Sequence, residues 1–316
     1  MKNSKKMFVI LEMALAVLVL VLAIVMIREQ GRGESHKVSV ILSDSDSGRW
    51  SAFRYGLKMA AEDQELEMFV ASTGEMLTVE EEIRLIQEEI NNGADAVIVQ
   101  PVPGAETERK LKEAAKKIPI MLAENTASGD RETSLLPVTE VDHYAMGKAL
   151  AEEVLKDYNG NVAGKTLGIV IQNEVSADAV SRKNGFQDGL KGKGARISWS
   201  VSDSLEDQSK ADLVIALDDA SLTMAGECSA SNDLHGALVY GIGNSTDAVY
   251  YLDTGIAACL VVPDEFNAGY QSMTEVAENL KHHFHKMKSQ TLSFTVMRRE
   301  ELFSPKNQEI LFTMSQ

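Results

Sequence analysis

Residues 38–63 read VSVILSDSDSGRWSAFRYGLKMAAED. Val38 to Leu42 form an apolar, largely β-branched run, the signature of a buried strand. Further on, Phe53, Leu57, Ala60 and Ala61 recur at helical spacing, which predicts an amphipathic helix over 49–64. Between the two lies SDSDSGRW, residues 43–50. A strand, a short polar loop and a helix make an ordinary opening to an α/β fold. The content of the loop is less ordinary, because hydroxyls and carboxylates run directly into an arginine and a tryptophan.

The same alternation continues along the chain. Strand-like runs lie at 67–72, 96–100 and 118–124, with helical patterns at 78–92 and 106–117 between them. Thr78 followed by Glu81 has capping-box spacing, and Asn92-Gly93 is a helix stop. The second half repeats the theme with helices at 142–158, 176–191, 220–231 and 246–254, and a long one at 265–288. Strand patterns there cover 165–172, 196–202, 212–218, 238–243, 258–263 and 292–298, before a polar tail. Alternating β and α elements predict parallel sheets with right-handed crossovers, and two such runs predict two doubly wound lobes. The crossover DSLEDQSKA after Ser202 is shorter than the dozen or so residues a parallel connection usually takes, so it reads as a loop or a single helical turn.

A chain of 316 residues is long enough for two medium domains and a sizeable core. Its formal charge of −16 argues against nucleic acid as a partner and otherwise serves solubility. At the N-terminus Lys2, Lys5 and Lys6 form a basic segment (1–6) ahead of an apolar run from Met7 to Ile27, interrupted only by Glu12. That run is long enough to span a bilayer core of ~30 Å. No A-x-A cleavage pattern follows it, and Cys228 and Cys259 are both far downstream. The reading is an uncleaved signal anchor over 7–27, with the lysines in the cytoplasm and the rest outside, a cleaved signal being the alternative. The expected location is therefore the cell membrane, single-pass, with the globular part outside the cytoplasm. Residues 28–37, REQGRGESHK, make a polar linker.

In open parallel sheets, ligands bind beyond the carboxyl ends of the strands. Polar groups gather at such ends here: SDSDSGRW, Gln100-Pro101, Glu124-Asn125, Asn173-Glu174, Asp218-Asp219 and Gly243-Asn244. Several passages, in order, then carry a family resemblance. They are the opening stretch, EEIRLIQEEINNGADAVIVQPV, IPIMLAEN, VDHYAMGKALAEEV, SRKNGFQDGL, LVYGIGNSTDAVYYLDTG and CLVVPDEFNAGY. Together they resemble the type I periplasmic solute-binding proteins, the ribose- and galactose-binding family that shares its fold with the lac-repressor effector domain. The likeness runs over roughly 38–300.

The resemblance implies an α/β clamp of two lobes, 38–140 with 264–290 and 141–263 with 291–316, joined by a three-segment hinge that closes on ligand. It places ligand contacts at Asp44, Ser47, Arg49, Trp50, Gln100, Glu124, Asn125, Arg182, Asp218 and Asn244. A sugar offers hydroxyls that suit carboxylates and amides, and C–H faces that suit a ring. On that reading Trp50 is the stacking platform, Arg49 a donor, and Asp44 or Ser47 acceptors. Other readings stay open: Trp50 in the core, Asp44 and Asp46 in turn bonding, Glu124 and Asn125 as a capped strand end, Arg182 in a surface ion pair, and Asp218 as a helix N-cap.

Three positions depart from the family pattern: Gly243 and Pro263, where sugar binders often carry Asp and Gln, and Leu205, which falls roughly where some members have a second aromatic. With two arginines near the cleft, an acidic or phosphorylated ligand stands beside a neutral sugar. His282 and His285, one helical turn apart, read as a solvated basic turn rather than a metal site. GLKGKGAR and GIGNST satisfy neither the P-loop nor the dinucleotide pattern, and no nucleophile elbow or H-E-x-x-H occurs. No enzyme, cofactor or metal is expected. The expected function is a membrane-anchored binding protein that captures a small polar ligand for an importer of the ATP-binding cassette class. The alternative is a ligand-sensing co-receptor for a membrane histidine kinase.

Overall fold

The computed structural model describes residues 35–74, 77–127, 134, 136–172, 174, 176–282 and 284–314, together with Met13, Leu15, Val17 and Leu18. The chain divides into two units, Met1–His36 and Lys37–Gln316. In the first, Met13, Leu15, Val17 and Leu18 are helical and exposed. The rest of the expected span 7–27 lies outside the described residues. Among the described residues no helix is long and apolar enough to cross a membrane.

The second unit runs β1 (Lys37–Ile41), α1 (Ser51–Asp63), β2 (Glu67–Val70), α2 (Val79–Asn91), β3 (Ala96–Val99), α3 (Ala105–Ala114), β4 (Ile120–Ala123) and β5 (Val138–Val141). It continues with α4 (His143–Asp157), β6 (Thr166–Val170), α5 (Ala177–Gly189), β7 (Arg196–Val201), β8 (Leu213–Ala216), α6 (Asp219–Ala230), β9 (Leu238–Ile242) and α7 (Thr246–Asp253). It ends with β10 (Ala257–Pro263), α8 (Glu265–Lys281), β11 (Gln290–Leu292), β12 (Phe294–Met297) and α9 (Pro305–Met314). One sheet has the order β11-β5-β4-β3-β1-β2 and the other β12-β10-β9-β8-β6-β7. All neighbours are parallel except β12, which pairs antiparallel with β10. Helices cover both faces of each sheet, as parallel strands require.

The strand pattern explains the cores. Val38 and Val40 point to one face of the first sheet, among Phe53 and Leu57 of α1 and Met273 of α8. Ile41 points to the other, among Ile86 of α2 and Leu111 of α3. The second sheet is sandwiched likewise between α4 with α5 and α6 with α7.

The chain crosses between the sheets three times, at Asp142, Asp264 and Ser293. The crossings touch: Asp142 N–H donates to Leu292 O at 3.4 Å and Asp264 N–H to Ser293 O at 3.3 Å. The run expected as one strand over 292–298 is two strands, because Ser293 carries the chain from one sheet to the other. Three other points differ from the sequence reading. Thr139 and Glu140 hide a short buried strand, β5, that sequence reading did not assign. The polar tail contains α9, opened by Pro305 at a position where its missing N–H costs nothing. The helix expected to reach 288 ends at Lys281, so His282 and His285 do not share a helical turn; they face Glu278 and Glu275 separately. The connection from β7 to β8 is a loop without a helix, one of the two forms expected from its length.

Candidate functional site

Two pairs of helices set the site. In the first lobe α1 lies on α8 so closely that a Cβ on Gly56 would meet Phe266 O at 2.0 Å, and one on Gly269 would meet Phe53 O at 2.0 Å. In the second lobe α4 lies on α5 in the same way, through Gly147 against Arg182 O and Gly185 against Tyr144 O, each at 2.0 Å. Only glycine allows backbones this near. The crossing in the second lobe brings Arg182 of α5 beside His143, the first residue of α4. Asp142, Ser176, Asp218, Ser245 and Asp264 cap the helices that begin around the cleft, each accepting a backbone N–H.

Between the lobes lies a cavity of about 660 Å³, within the usual range for small-molecule sites. Of the residues singled out from the sequence, Ser47, Arg49, Gln100, Glu124, Asn125, Arg182, Asp218 and Asn244 line it, and Asp44 and Trp50 do not. Both exceptions are corrections. Trp50 is fully buried among the first-lobe core, its Nε1–H donates to Ser43 O at 2.9 Å, and its ring meets Phe53 edge-on. The Arg49 guanidinium lies 4.3 Å from the Trp50 ring centroid. No face of Trp50 is left for a ligand. Asp44 shapes the loop instead: it sits at φ 49°, its N–H donates to Gly74 O, and its carbonyl accepts from Ser47 N–H. Ser45 exchanges hydrogen bonds with Thr73. Most of SDSDSGRW thus holds the loop together, while Ser43, Ser47 and Arg49 reach the cavity.

The first-lobe wall is a connected network. Arg49 Nη2 donates to both Glu124 oxygens at 2.8 and 2.7 Å, Gln100 Nε2 donates to Glu124 Oε2 at 2.8 Å, and Gln100 Oε1 accepts from Ser43 N–H. Glu124 holds the left-handed backbone at φ 64°, a strained conformation for a non-glycine residue. Its partners on either side fix it there. Glu124 also raises the Arg49 pKa, partly offset by burial.

The second-lobe wall is less complete. Arg182 Nη1 donates to His143 Nδ1 at 3.2 Å. A guanidinium has no lone pair, so Nδ1 is the acceptor and the neutral ring carries its proton on Nε2. Burial and then the charge of Arg182 pull the His143 pKa down to about 4. Burial raises Asp178, whose Oδ2 accepts from Asn125 Nδ2 across the cleft at 3.3 Å. Three buried polar atoms around the cleft have no hydrogen-bond partner among the described residues: Asn125 Oδ1 of the first lobe, and His143 Nε2 and Arg182 Nε of the second, His143 Nε2 lying 3.8 Å from Asp178 Oδ1.

Asp218 is the N-cap of α6 and also accepts Gln172 N–H at 2.8 Å. Asp219 Oδ1 accepts from the N–H groups of Asn244 and Ser245. A Cβ on Gly243 would sit 2.6 Å from that same oxygen, so Gly243 leaves room for Asp219. Gly243 and Pro263 both line the cavity, whereas Leu205 packs against the second-lobe core. His143, Gln172, Ser176, Asp178 and Glu265 also line it and were not singled out from the sequence, and Asp219, named with Asp218 at a strand end, lines it too. For His143 and Glu265 a signal existed: each follows an aspartate that begins a helix directly after a strand end. The strand-end residue Asn173 lies outside the described residues.

The match to the family of the periplasmic binding protein domain runs over residues 38–283. The chain belongs to that family. It is 27% identical over 150 residues to the galactofuranose-binding protein YtfQ of Escherichia coli (strain K12), a match spanning 46% of this chain and 45% of that protein. Among solved structures it resembles GanP, a glucose-galactose binding protein from Geobacillus stearothermophilus, with a TM-score of 0.73 at 18% identity, over 85% of this chain and 99% of that one. It also resembles the XylFII–LytSN complex, with a TM-score of 0.71 at 15% identity, over 84% of this chain and 99% of that one. At such identities the likeness concerns the fold.

Proposed function

We propose that the protein is an extracytoplasmic solute-binding protein, held to the membrane by residues 7–27, that captures a small polar, sugar-like ligand by closure of its two lobes. The observation that carries this reading is the 660 Å³ cavity, to which both lobes contribute polar side chains and in whose walls Asn125 Oδ1, His143 Nε2 and Arg182 Nε make no hydrogen bond among the described residues. Unpaired buried polar atoms cost free energy that a hydroxylated ligand recovers. Ligand contact is assigned to the eight lining residues named from the sequence, with His143, Asp178 and Glu265 added. No bond is made or broken. Binding shifts the clamp toward its closed form, and the closed form is what a membrane partner reads.

The partner in the first reading is an importer of the ATP-binding cassette class. A second reading is a co-receptor that reports ligand to a membrane sensor kinase. An apolar N-terminal run without a cleavage pattern favours it, since a retained helix can pack against a partner's helices. The fold likeness to the XylFII–LytSN complex supports it too. An acidic ligand loses ground in either case, because Arg49 already faces Glu124 and Arg182 lies by Asp178.

The test is a thermal-shift screen of the full chain in mild detergent against neutral pentoses and hexoses, sugar acids and sugar phosphates. A binder at 100 times its Kd raises stability by about 2.7 kcal/mol, and Arg182→Ala is expected to abolish the shift. A screen in which no sugar-like compound binds removes the ligand assignment. Cross-linking the loaded protein in its own membranes, and asking whether a permease or a kinase is recovered, decides between partners.

A further inference from the structure

The cavity is lined by five carboxylates, Glu124, Asp178, Asp218, Asp219 and Glu265, and by two guanidiniums, Arg49 and Arg182. Four of the five carboxylates are engaged. Glu124 takes Arg49 and Gln100, Asp178 takes Asn125, Asp218 takes two backbone N–H groups, and Asp219 takes two more. Glu265 is different. It is 8% exposed, it opens α8 directly after the crossing at Asp264, and it accepts no hydrogen bond or ion pair among the described residues. Burial, and then the nearby Glu124 charge, hold its pKa well above the ordinary carboxyl value. The other charged groups that act on it are Arg49, Asp264 and Arg182. Arg49 and Arg182 lower that pKa in part, without offsetting burial and the Glu124 charge.

A lone buried carboxylate is unfavourable unless it is neutralised or paired. A ligand hydroxyl supplies one hydrogen bond and leaves the charge in place. An ammonium supplies three donors, cancels the charge and also relieves the repulsion from Glu124. The excess of carboxylates over guanidiniums in the lining has the same sign preference. Among the described residues no Trp, Tyr or Phe lines the cavity, so recognition by them rests on polar groups rather than ring stacking. We propose that Glu265 recognises a cationic substituent of the ligand, so that the protein selects an aminated sugar over its neutral parent. This rests on the solute-binding reading above and specifies the ligand class.

The experiment is isothermal titration of the full chain in mild detergent with matched sets: glucose, galactose and mannose, their 2-amino forms, and the N-acetylated 2-amino forms. Acetylation keeps the nitrogen but removes its charge. The amino form is expected to bind at least about tenfold more tightly than both neutral relatives. Glu265→Gln is expected to bring that ratio toward one, and Glu265→Asp to keep part of it. Neutral sugars that bind as tightly as their amines overturn the inference and leave the solute-binding reading standing. A ratio that survives in Glu265→Gln overturns the role of Glu265. Absence of binding by every member of the three sets overturns both the inference and the sugar reading. The comparison of amine with N-acetyl form in the unmodified protein does not depend on either variant folding.

Discussion

The two lobes are built alike and furnish the cleft differently. Each presses two helices together through a facing pair of glycines, Gly56 with Gly269 and Gly147 with Gly185. The first lobe then presents side chains already bonded to one another: Ser43, Gln100, Glu124 and Arg49 form a chain. The second presents Arg182 and His143. The first-lobe wall is organised in advance apart from Asn125 Oδ1 and Glu265, whereas the second-lobe wall leaves one buried nitrogen of each of its named side chains without a hydrogen bond among the described residues. Pre-formed hydrogen bonds hold geometry, whereas unmade ones supply differential affinity.

The outer flanks differ too. In the first sheet the crossover from β2 to β3 contains α2, with its Thr78–Glu81 capping box. In the second, the connection from β7 to β8 is a loop, and Trp199 lies over Gly168, where a Cβ would approach the indole to 2.0 Å. Trp199 Nε1–H donates to Ser209 O within that loop. A single indole therefore takes part of the place of a helix.

The largest test of this contrast uses the two tryptophans. Trp50→Ala removes a fully buried ring and is expected to cost about 3–5 kcal/mol. Trp199→Ala, at the partly exposed flank, is expected to cost about 1–2 kcal/mol. Denaturant titrations of the two variants give the ordering, and equal losses would mean that the loop of the second lobe is as much core as the first helix.

Next comes pH. The folded-state pKa of His143, about 4, lies below its ordinary 6.5, so its contribution is present above pH 6.5 and is lost as pH falls toward 4. The amount is on the order of 3 kcal/mol. Glu265 has the opposite sign: its raised pKa makes stability fall as pH rises above the ordinary carboxyl value of 4.5. The two effects oppose each other between pH 4.5 and 6.5, so unfolding free energy measured from pH 4 to 9 should fall with rising pH from about 4.5 in His143→Gln and should rise up to about pH 6.5 and then level off in Glu265→Gln. If both slopes persist in both variants, other groups govern the titration.

The smallest effect concerns the hydrogen bonds between the lobes. Asn125→Ala removes the 3.3 Å bond to Asp178 and is expected to cost about 1 kcal/mol. Asn244→Ala removes only the exposed 3.5 Å contact with Arg49 O and is expected to cost under about 0.5 kcal/mol. The reverse order in denaturant titrations would move the main inter-lobe contact to the Asn244 side.

Much of the fold was legible because its elements obey local rules. Apolar runs such as Val38 to Leu42 are buried on both sides of a sheet, and caps such as Thr78 act within one helical turn. β5 was missed because Thr139 and Glu140 interrupt its apolar pattern, although Thr139 is fully buried. The split at Ser293 was missed because Phe294, Thr295 and Val296 favour a strand and nothing local marks a change of sheet. For the site, position beyond a strand end picked out Gln100, Glu124 and Asp218 as cavity residues, and the family resemblance of SRKNGFQDGL picked out Arg182. His143 and Glu265 escaped because their importance arises from neighbours distant in sequence.

By itself the sequence determined the alternation of strands and helices, the two lobes, the strand-end loops and the glycines, since periodicity, capping and turn chemistry act over a few residues. Only the tertiary structure decided which way each side chain is used. Trp50 turns into the core because its indole N–H finds Ser43 O and its ring finds Phe53 and Arg49. Arg49 is tied to Glu124, 75 positions away, and Glu265 is left as the carboxyl without a partner among the described residues. Burial and charge pairing depend on groups brought together from distant parts of the chain, so no local pattern encodes them.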